Sequence, residues 1–378
     1  SAPSPVLLSL ENKDEILGAL DRVFSKGQFV LGNYESDILE LEKWFSTYIG
    51  TKHAIMVGAG TQALYLAYRA LGIGPGDEVI TVGHTFSATF DQIVAVGAKP
   101  VLVDIDPETG LIDLVLVEKA ITLKTKVIVP VHLEGKVCDM GWIAEIAYKH
   151  KLKTIEDAAQ ALGARHIGNR WLIAENRVGG LADIGCFSLY WAKVFGTFGN
   201  AGMVTTNDDD LAYKISMLRC NWRFEKDPAK VEYGMNFEPD NAWAAVLNVR
   251  KKYLDGYIAR RKEIAEMYLK GLKELDDRGL IKLPWNQPGR VWQDFVIRVN
   301  SPKDKEELLA HLDKHEIGYL GADPKALYYP DYPKLGLPQL PHTKKYLEQQ
   351  IRIPCNPYLT DEQVMYVIAN IQSFFDTK

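Results

Sequence analysis

A chain of 378 residues exceeds the roughly 250–300 that one hydrophobic core organises, so a large domain with a smaller one is expected. With 47% apolar and 25% charged residues, and 8 Trp, 18 Tyr and 13 Phe, the composition excludes fibrous, disordered and mini-protein classes. The 44 Lys and Arg against 49 Asp and Glu, net -5, provide no global field for nucleic acid or an anionic membrane.

Short β-rich runs alternate with amphipathic stretches from about residue 50 to 206. Strands are predicted at His53–Val57, Glu78–Val82, Pro100–Asp104, Lys126–Val131, Thr154–Glu156, Ile184–Leu189 and Met203–Thr206. Helices are predicted between them at Thr61–Ala70, Ala88–Val96 and Gly141–His150. Repeated crossings of this kind specify an α/β domain with a largely parallel sheet, whose ligands collect at the carboxyl ends of the strands. After Asn207 a helical pattern from Asn241 to Leu275 carries Val246, Val249, Tyr253, Tyr257, Ile264 and Tyr268, a connecting spine. An αβ unit follows: strand Asp294–Val299, helix Lys303–His315, strand Ile351–Ile353, and a last helix opened by Thr360-Asp361-Glu362-Gln363. The expected division is an N-terminal segment, 1–25, packing on the small domain; a large domain, 26–240; and a connecting helix with a small domain, 241–378.

Four scattered cysteines, Cys138, Cys186, Cys220 and Cys355, form no CxxC pair and no His cluster. Neither a disulfide framework nor a metal site is expected, and a reducing cytoplasm fits. No apolar run approaches the ~18 residues of a membrane span, and Ser-Ala-Pro-Ser at the start lacks the basic-then-apolar pattern of an export signal.

Three segments carry candidate chemistry. Gly58-Ala59-Gly60-Thr61-Gln62-Ala63 follows a predicted strand and opens a predicted helix, where free N–H groups and the helix dipole seat an anion. The same pattern occurs in dinucleotide-binding loops, but those want an acid after the next strand, and here Gly83 follows Val82. A nicotinamide-dependent oxidoreductase and a plain tight turn are the alternatives. Ile155-Glu156-Asp157-Ala158-Ala159-Gln160 ends a buried strand in two carboxylates, which suit a protonated heterocyclic nitrogen or merely cap a helix. Cys186-Phe187-Ser188-Leu189-Tyr190-Trp191-Ala192-Lys193 places a lysine after an apolar strand end. Desolvation there favours a neutral amine able to attack a carbonyl; a solvated surface lysine is the alternative.

In this order the sequence resembles the DegT/DnrJ/EryC1/StrS family, sugar aminotransferases of the fold-type-I pyridoxal 5′-phosphate class. The matching stretches are Gly60–Leu64, Thr85–Thr89, Pro100–Asp106, His132–Gly135, Glu156–Ala161 and Phe187-Ser188 through Lys193, with an echo in Ile353-Pro354 to Glu362. The resemblance implies a mostly parallel seven-stranded sheet with a smaller α/β C-terminal domain. It makes Lys193 the residue that bonds the cofactor aldehyde, with Asp157 facing the ring nitrogen, Gln160 the ring hydroxyl and Phe86 the ring face. The phosphate would lie on the N–H groups of Gly60 and Thr61 beside the Ser188 hydroxyl. Asn236 would reach the phosphate of a neighbouring subunit, implying a homodimer with shared active sites. The implied substrates are an amino-acid donor, L-glutamate, and a keto-sugar, nucleotide-linked. Relatives that remove a sugar hydroxyl carry histidine in place of the lysine, so Lys193 argues for amino transfer. A non-catalytic sensor that keeps the cofactor is the other alternative.

The chain departs from the family pattern at Tyr190-Trp191-Ala192, at Gly199-Asn200-Ala201-Gly202, at Glu238 and Trp243 after Asn236, and in a longer Arg165–Ala182 segment containing Asn169-Arg170-Trp171 and Glu175-Asn176-Arg177. Arg219, Arg223 and Lys325 are candidate cations for a nucleotide diphosphate, with surface ion pairs as the alternative. The aromatic loop Tyr328–Pro333 is a candidate cleft wall. His84 and His132 read as supporting residues, and Trp243 and Val246 as packing.

Overall fold

Seven five-residue strands build the main sheet of this computed structural model, which describes residues 12–30, 36–167, 176–321 and 338–377. They are β1 (His53–Val57), β2 (Glu78–Val82), β3 (Lys99–Val103), β4 (Thr125–Val129) and β5 (Lys153–Asp157), then β8 (Ile184–Ser188) and β9 (Gly202–Thr206). Between β5 and β8 lie β6 (Arg165–His166) and β7 (Asn176–Arg177), a separate two-residue pair. The order across the main sheet is β1-β9-β8-β5-β4-β2-β3. Every neighbour from β8 to β3 is parallel, and β9 runs against both β1 and β8. All seven predicted strands form, His53–Val57 and Glu78–Val82 with the predicted ends and the other five with ends displaced by one or two residues. Strand β4 stops at Val129 because Pro130 has no N–H to give the ladder, and Val131 keeps only an isolated bridge to Asp157.

The helices of this part are α1 (Lys13–Lys26), α2 (Asp37–Ile49), α3 (Gly60–Ala70), α4 (Ser87–Ala95), α5 (Leu114–Ala120), α6 (Met140–His150) and α7 (Asp209–Arg219). Helices α2 to α7 cover the two faces of the sheet, and α1 packs on a later helix. Alternate residues of β1 show the division: Ala54 and Met56 join Ile38, Leu41 and Phe45 of α2, whereas Ile55 and Val57 join Leu64 and Ala67 of α3.

The predicted spine is not one helix. It divides into α8 (Asn241–Arg250), a 3₁₀ turn at Lys251–Tyr253, α9 (Leu254–Gly271) and α10 (Lys273–Asp277). The two main pieces serve different cores. Helix α8 is buried along most of its length and receives Ile16, Ala19 and Val23 of α1 on Ala245, Val246 and Val249. Helix α9 buries one stripe, of which Ile264, Ala265 and Tyr268 pack against the second sheet. The 3₁₀ turn re-aims the buried face between them. Residues 1–11 of the N-terminal segment lie outside the described residues.

The second sheet comprises β10 (Ile281–Lys282), β11 (Phe295–Val299), β12 (Leu320–Gly321) and β13 (Gln350–Ile353), antiparallel in the order β10-β11-β13-β12. Its helices are α11 (Pro302–Lys314), α12 (Pro341–Gln349) and α13 (Asp361–Asp376). The predicted cap forms in full: Thr360 Oγ1 accepts from the Gln363 N–H, and the Gln363 side chain accepts from the Thr360 N–H. Phe295, Ile297, Ile351 and Ile353 pack with Leu308, Ile368 and Ile371 into the second core. Gln350 and Arg352 alternate onto the opposite face. Among the described residues no helix is long and apolar enough to cross a membrane. Asn169-Arg170-Trp171 and the Tyr328–Pro333 loop lie outside the described residues.

Candidate active site

Asp157 ends β5, and Lys193 follows β8, its parallel neighbour, in which Cys186 sits opposite Asp157. Both residues therefore reach the carboxyl edge of the sheet, where α3 also begins. A cavity of about 530 Å³ opens there, and Gly60, Thr61, Phe86, Asp157, Gln160, Ser188 and Lys193 all line it. Seven of the eight expected site residues are thus in one place. The eighth, Asn236, is exposed beside the end of α7, bridged to Cys220, and is not part of the cavity wall.

Helix α3 enters the cavity wall without a side-chain cap. Its N-cap is Ala59, which offers no acceptor, so the first N–H groups of the helix remain for an anion. Gly60 is required by proximity: a Cβ there would lie 2.8 Å from Cβ of Ser188. Phe86, at the start of α4, is 58% exposed on the cavity wall, unusual for a residue that could be buried.

Asp157 is buried, and its two oxygens are separately held. Thr89 Oγ1 donates to Oδ2 at 2.7 Å, and the Ala159 N–H donates to Oδ1 at 3.1 Å. Burial pushes the carboxyl above its usual range; the bonds from Thr89 and Ala159 and the charge of Lys193 oppose that rise without cancelling it. A cation placed in the cavity against Asp157 would supply the missing compensation. Lys193 is shifted in the opposite sense. Burial lowers its ammonium below the usual range, Asp294 and Asp157 counteract this, and Arg352 adds to it. Arg352 Nη1 itself lies 3.7 Å from Asp294 Oδ2. Two ionisable groups pushed toward their neutral forms, one acid and one amine, share the cavity.

The adjacent acid has a different task. Glu156 is fully buried on the other face of β5, and its oxygens accept from the N–H groups of Gly179, Leu181 and Ala182 at 2.8, 2.8 and 3.0 Å. His132 completes the set: its Nδ1 accepts from the Cys138 N–H at 3.1 Å, so Nε2 carries the proton and donates to Glu156 at 3.0 Å. Glu156→Ala leaves these donors buried and unpaired and is expected to cost at least ~3 kcal/mol in urea unfolding. A loss below about 1 kcal/mol would contradict this structural role.

Gln160 is fixed by its carbonyl, which accepts the Glu134 N–H at 2.6 Å. Glu134 adopts a left-handed φ of 60° to present that group. His84 is buried with Nδ1 2.9 Å from the Gly110 carbonyl, and burial pushes its pKa down to about 4. Of the candidate cations, Arg219 is enclosed by Glu42 at 2.7 Å and the Met56 carbonyl at 2.6 Å, which join α7 to α2 and β1. Arg223 pairs with Glu238 at 2.6 Å, and Lys325 lies outside the described residues. Trp243 packs beside Gly199, and Val246 lies in the α1–α8 cluster.

Three site residues escape sequence reading. Thr89 lies in the matching stretch Thr85–Thr89, which assigns it no role; its hydroxyl is 2.7 Å from that of Thr85, four residues before it. Glu134 acts through its backbone. Gln293 comes from the second domain, and its side chain bonds the loop of Lys193.

A profile of the DegT/DnrJ/EryC1/StrS aminotransferase family matches residues 11–372. The chain is 39% identical to a pleiotropic regulatory protein of Geobacillus stearothermophilus, over 96% of this chain and 95% of that one. It is 37% identical to the dTDP-3-amino-3,4,6-trideoxy-alpha-D-glucose transaminase of Streptomyces venezuelae, over 96% and 93%. The fold superposes on the crystal structure of NtdA from Bacillus subtilis with bound cofactor PMP with a TM-score of 0.88, at 32% identity, covering 97% of this chain and 82% of that one. The cavity suits such a cofactor: an uncapped helix start for a phosphate, an exposed aromatic face, and a buried carboxylate short of a cation. The chain belongs to the DegT/DnrJ/EryC1/StrS aminotransferase family, sugar aminotransferases whose cofactor is pyridoxal 5′-phosphate.

Proposed function

We propose that this protein moves the amino group of an amino acid, L-glutamate, to the carbonyl carbon of a nucleotide-linked keto-sugar, with Lys193 and Asp157 as its catalytic pair. The observation that carries the reading is the single cavity in which Lys193 and Asp157 are pushed toward neutrality beside the uncapped start of α3. Bound there, pyridoxal phosphate supplies an electron sink for breaking a bond at the carbon that bears nitrogen.

The roles of the chain's own residues follow from their positions. The N–H groups of Gly60 and Thr61 and the Ser188 hydroxyl would hold the phosphate, and Phe86 would cover one ring face. Asp157, steadied by Thr89 and the Ala159 N–H, would hold the proton on the ring nitrogen, so that charge is stabilised where it develops. Gln160, anchored by Glu134, would face the ring hydroxyl. Lys193, lowered by burial, would present a neutral Nζ first as nucleophile toward the aldehyde. It would later act as the base that takes the proton from the α-carbon of the donor. Asn236, exposed and away from this cavity, would complete the site of a second copy in a homodimer. The proposed setting is the cytoplasm, with residues 26–240 as the cofactor domain and 241–378 as its connecting helix and small domain.

The test is a panel of nucleotide-linked 3-keto and 4-keto sugars, with a free keto-sugar phosphate beside them, incubated with glutamate and read by product mass. An amino sugar from a nucleotide-linked substrate is expected. Conversion of the free sugar phosphate alone would remove the nucleotide from the proposal. The similarity to a regulatory protein favours a second reading, a cofactor-binding sensor. Normal cofactor binding with no turnover of any sugar in the panel would select it.

A further inference from the structure

The loop that carries Lys193 is gripped from the second domain by one side chain. Gln293 lies just before β11, far along the chain from that loop, and is only 8% exposed. Its Oε1 accepts the Val194 N–H at 2.9 Å, and its Nε2 donates to the Ala192 carbonyl at 3.0 Å. Those two peptide groups belong to the residues immediately before and after Lys193. One planar carboxamide therefore pairs with both, as an adjacent strand would, and restrains the backbone on either side of Lys193.

The grip is itself held in place. Arg261 of α9 donates through Nη1 to the Trp292 and Gln293 carbonyls at 3.2 and 3.1 Å. The Val291 N–H donates to the Gly135 carbonyl at 3.1 Å. Gly135 has a φ of 79°, and a Cβ there would lie 2.9 Å from the Gln293 nitrogen, so only glycine admits this approach. Arg290 donates through Nη2 to the Glu134 carbonyl at 3.1 Å, and the Glu134 N–H is the group that anchors Gln160. Residues 290–293 thus touch both the Lys193 loop and the support of Gln160. The rest of the Lys193 loop is held by local bonds, Lys193 N–H to the Tyr190 carbonyl at 2.9 Å and Thr197 N–H to the Leu189 carbonyl at 3.0 Å, by burial of Val194 and Phe195 in the core beside Trp44, and by Arg250 on the Gly196 carbonyl. The Gln293 carboxamide adds the bonds to the two peptide groups that flank Lys193.

We propose that Gln293 is a positioning residue for Lys193: its carboxamide aims the amine into the cavity and makes that aim depend on the docking of the second domain. This rests on the reading that Lys193 bonds the cofactor.

The test uses Gln293→Met, which keeps the length and loses both bonds, and Gln293→Glu, which keeps the acceptor for Val194 and loses the donor to Ala192. In the cofactor-free protein, hydrogen exchange at the Val194 amide is expected to speed by at least ~10-fold in Gln293→Met, since that N–H loses its acceptor. In the loaded protein the pH midpoint of the lysine–cofactor absorbance is expected to move, and kcat to fall by about 10²-fold with KM for the sugar within about twofold. Gln293→Glu should retain the slow Val194 exchange while kcat still falls, and it carries the test if Gln293→Met fails to fold. Unchanged exchange at Val194 and an unmoved absorbance midpoint in Gln293→Met, with only a lower melting temperature, would overturn the proposal. Failure of the underlying reading shows separately, as cofactor bonded to another lysine in the wild-type protein.

Discussion

Lys193→Ala is expected to abolish the absorbance of the lysine-bound cofactor and to lower turnover by at least ~10⁴-fold. The effect is this large because two tasks fall on one nitrogen. The side chain must attack the aldehyde as a neutral amine, and it must later accept a proton from carbon. Burial, which lowers Lys193 against the opposing charges of Asp294 and Asp157, prepares it for both. Lys193→Arg separates charge from chemistry: it restores a cation in the cavity but no amine that can attack, so it should be as inactive as the alanine variant. Turnover within about tenfold of wild type in either variant would remove Lys193 from the chemistry.

Asp157→Asn is expected to lower kcat by about 10²–10³-fold while leaving the cofactor-free fold intact. The substitution is nearly isosteric, and Thr89 can adapt to it. Its hydroxyl, 2.7 Å from that of Thr85, can donate there and accept from the new amide. The stability effect has a definite sign. Burial raises the folded-state pKa of Asp157 above its unfolded value near 3.9. Between those two values the folded protein holds more protons than the unfolded one, so cofactor-free stability falls as pH rises through the window. The carboxamide of the Asp157→Asn variant does not titrate there, so the variant should match the wild type below the window and exceed it above. Urea unfolding of the two cofactor-free proteins at acid and neutral pH checks this. A variant less stable than wild type at neutral pH would mean that the carboxylate is a structural group, as Glu156 is.

The contrast between those neighbouring acids shows what a sequence can and cannot say. Successive strand residues face opposite ways, so Glu156 and Asp157 had to diverge, but only the placed helices reveal that Asp157 meets the cavity and Glu156 meets the 179–182 turn. Strands were legible because buried parallel strands read as β-branched runs between breakers, as in Lys126-Val127-Ile128-Val129-Pro130. The break at Lys251–Tyr253 was not, because α8 and α9 are both helical in pattern and only their separate cores require a change of direction. Lys193, Gln160 and the Gly60–Thr61 start were legible through the order of motifs. Gln293 was not, since a polar residue before a strand looks the same whether it faces water or bonds a loop distant in the chain.

Borohydride reduction of the cofactor-loaded protein, followed by peptide mass spectrometry, tests the central claim most directly. The cofactor mass is expected on the peptide containing Lys193 and on no other. Its recovery on a different lysine, or on none, would contradict the account.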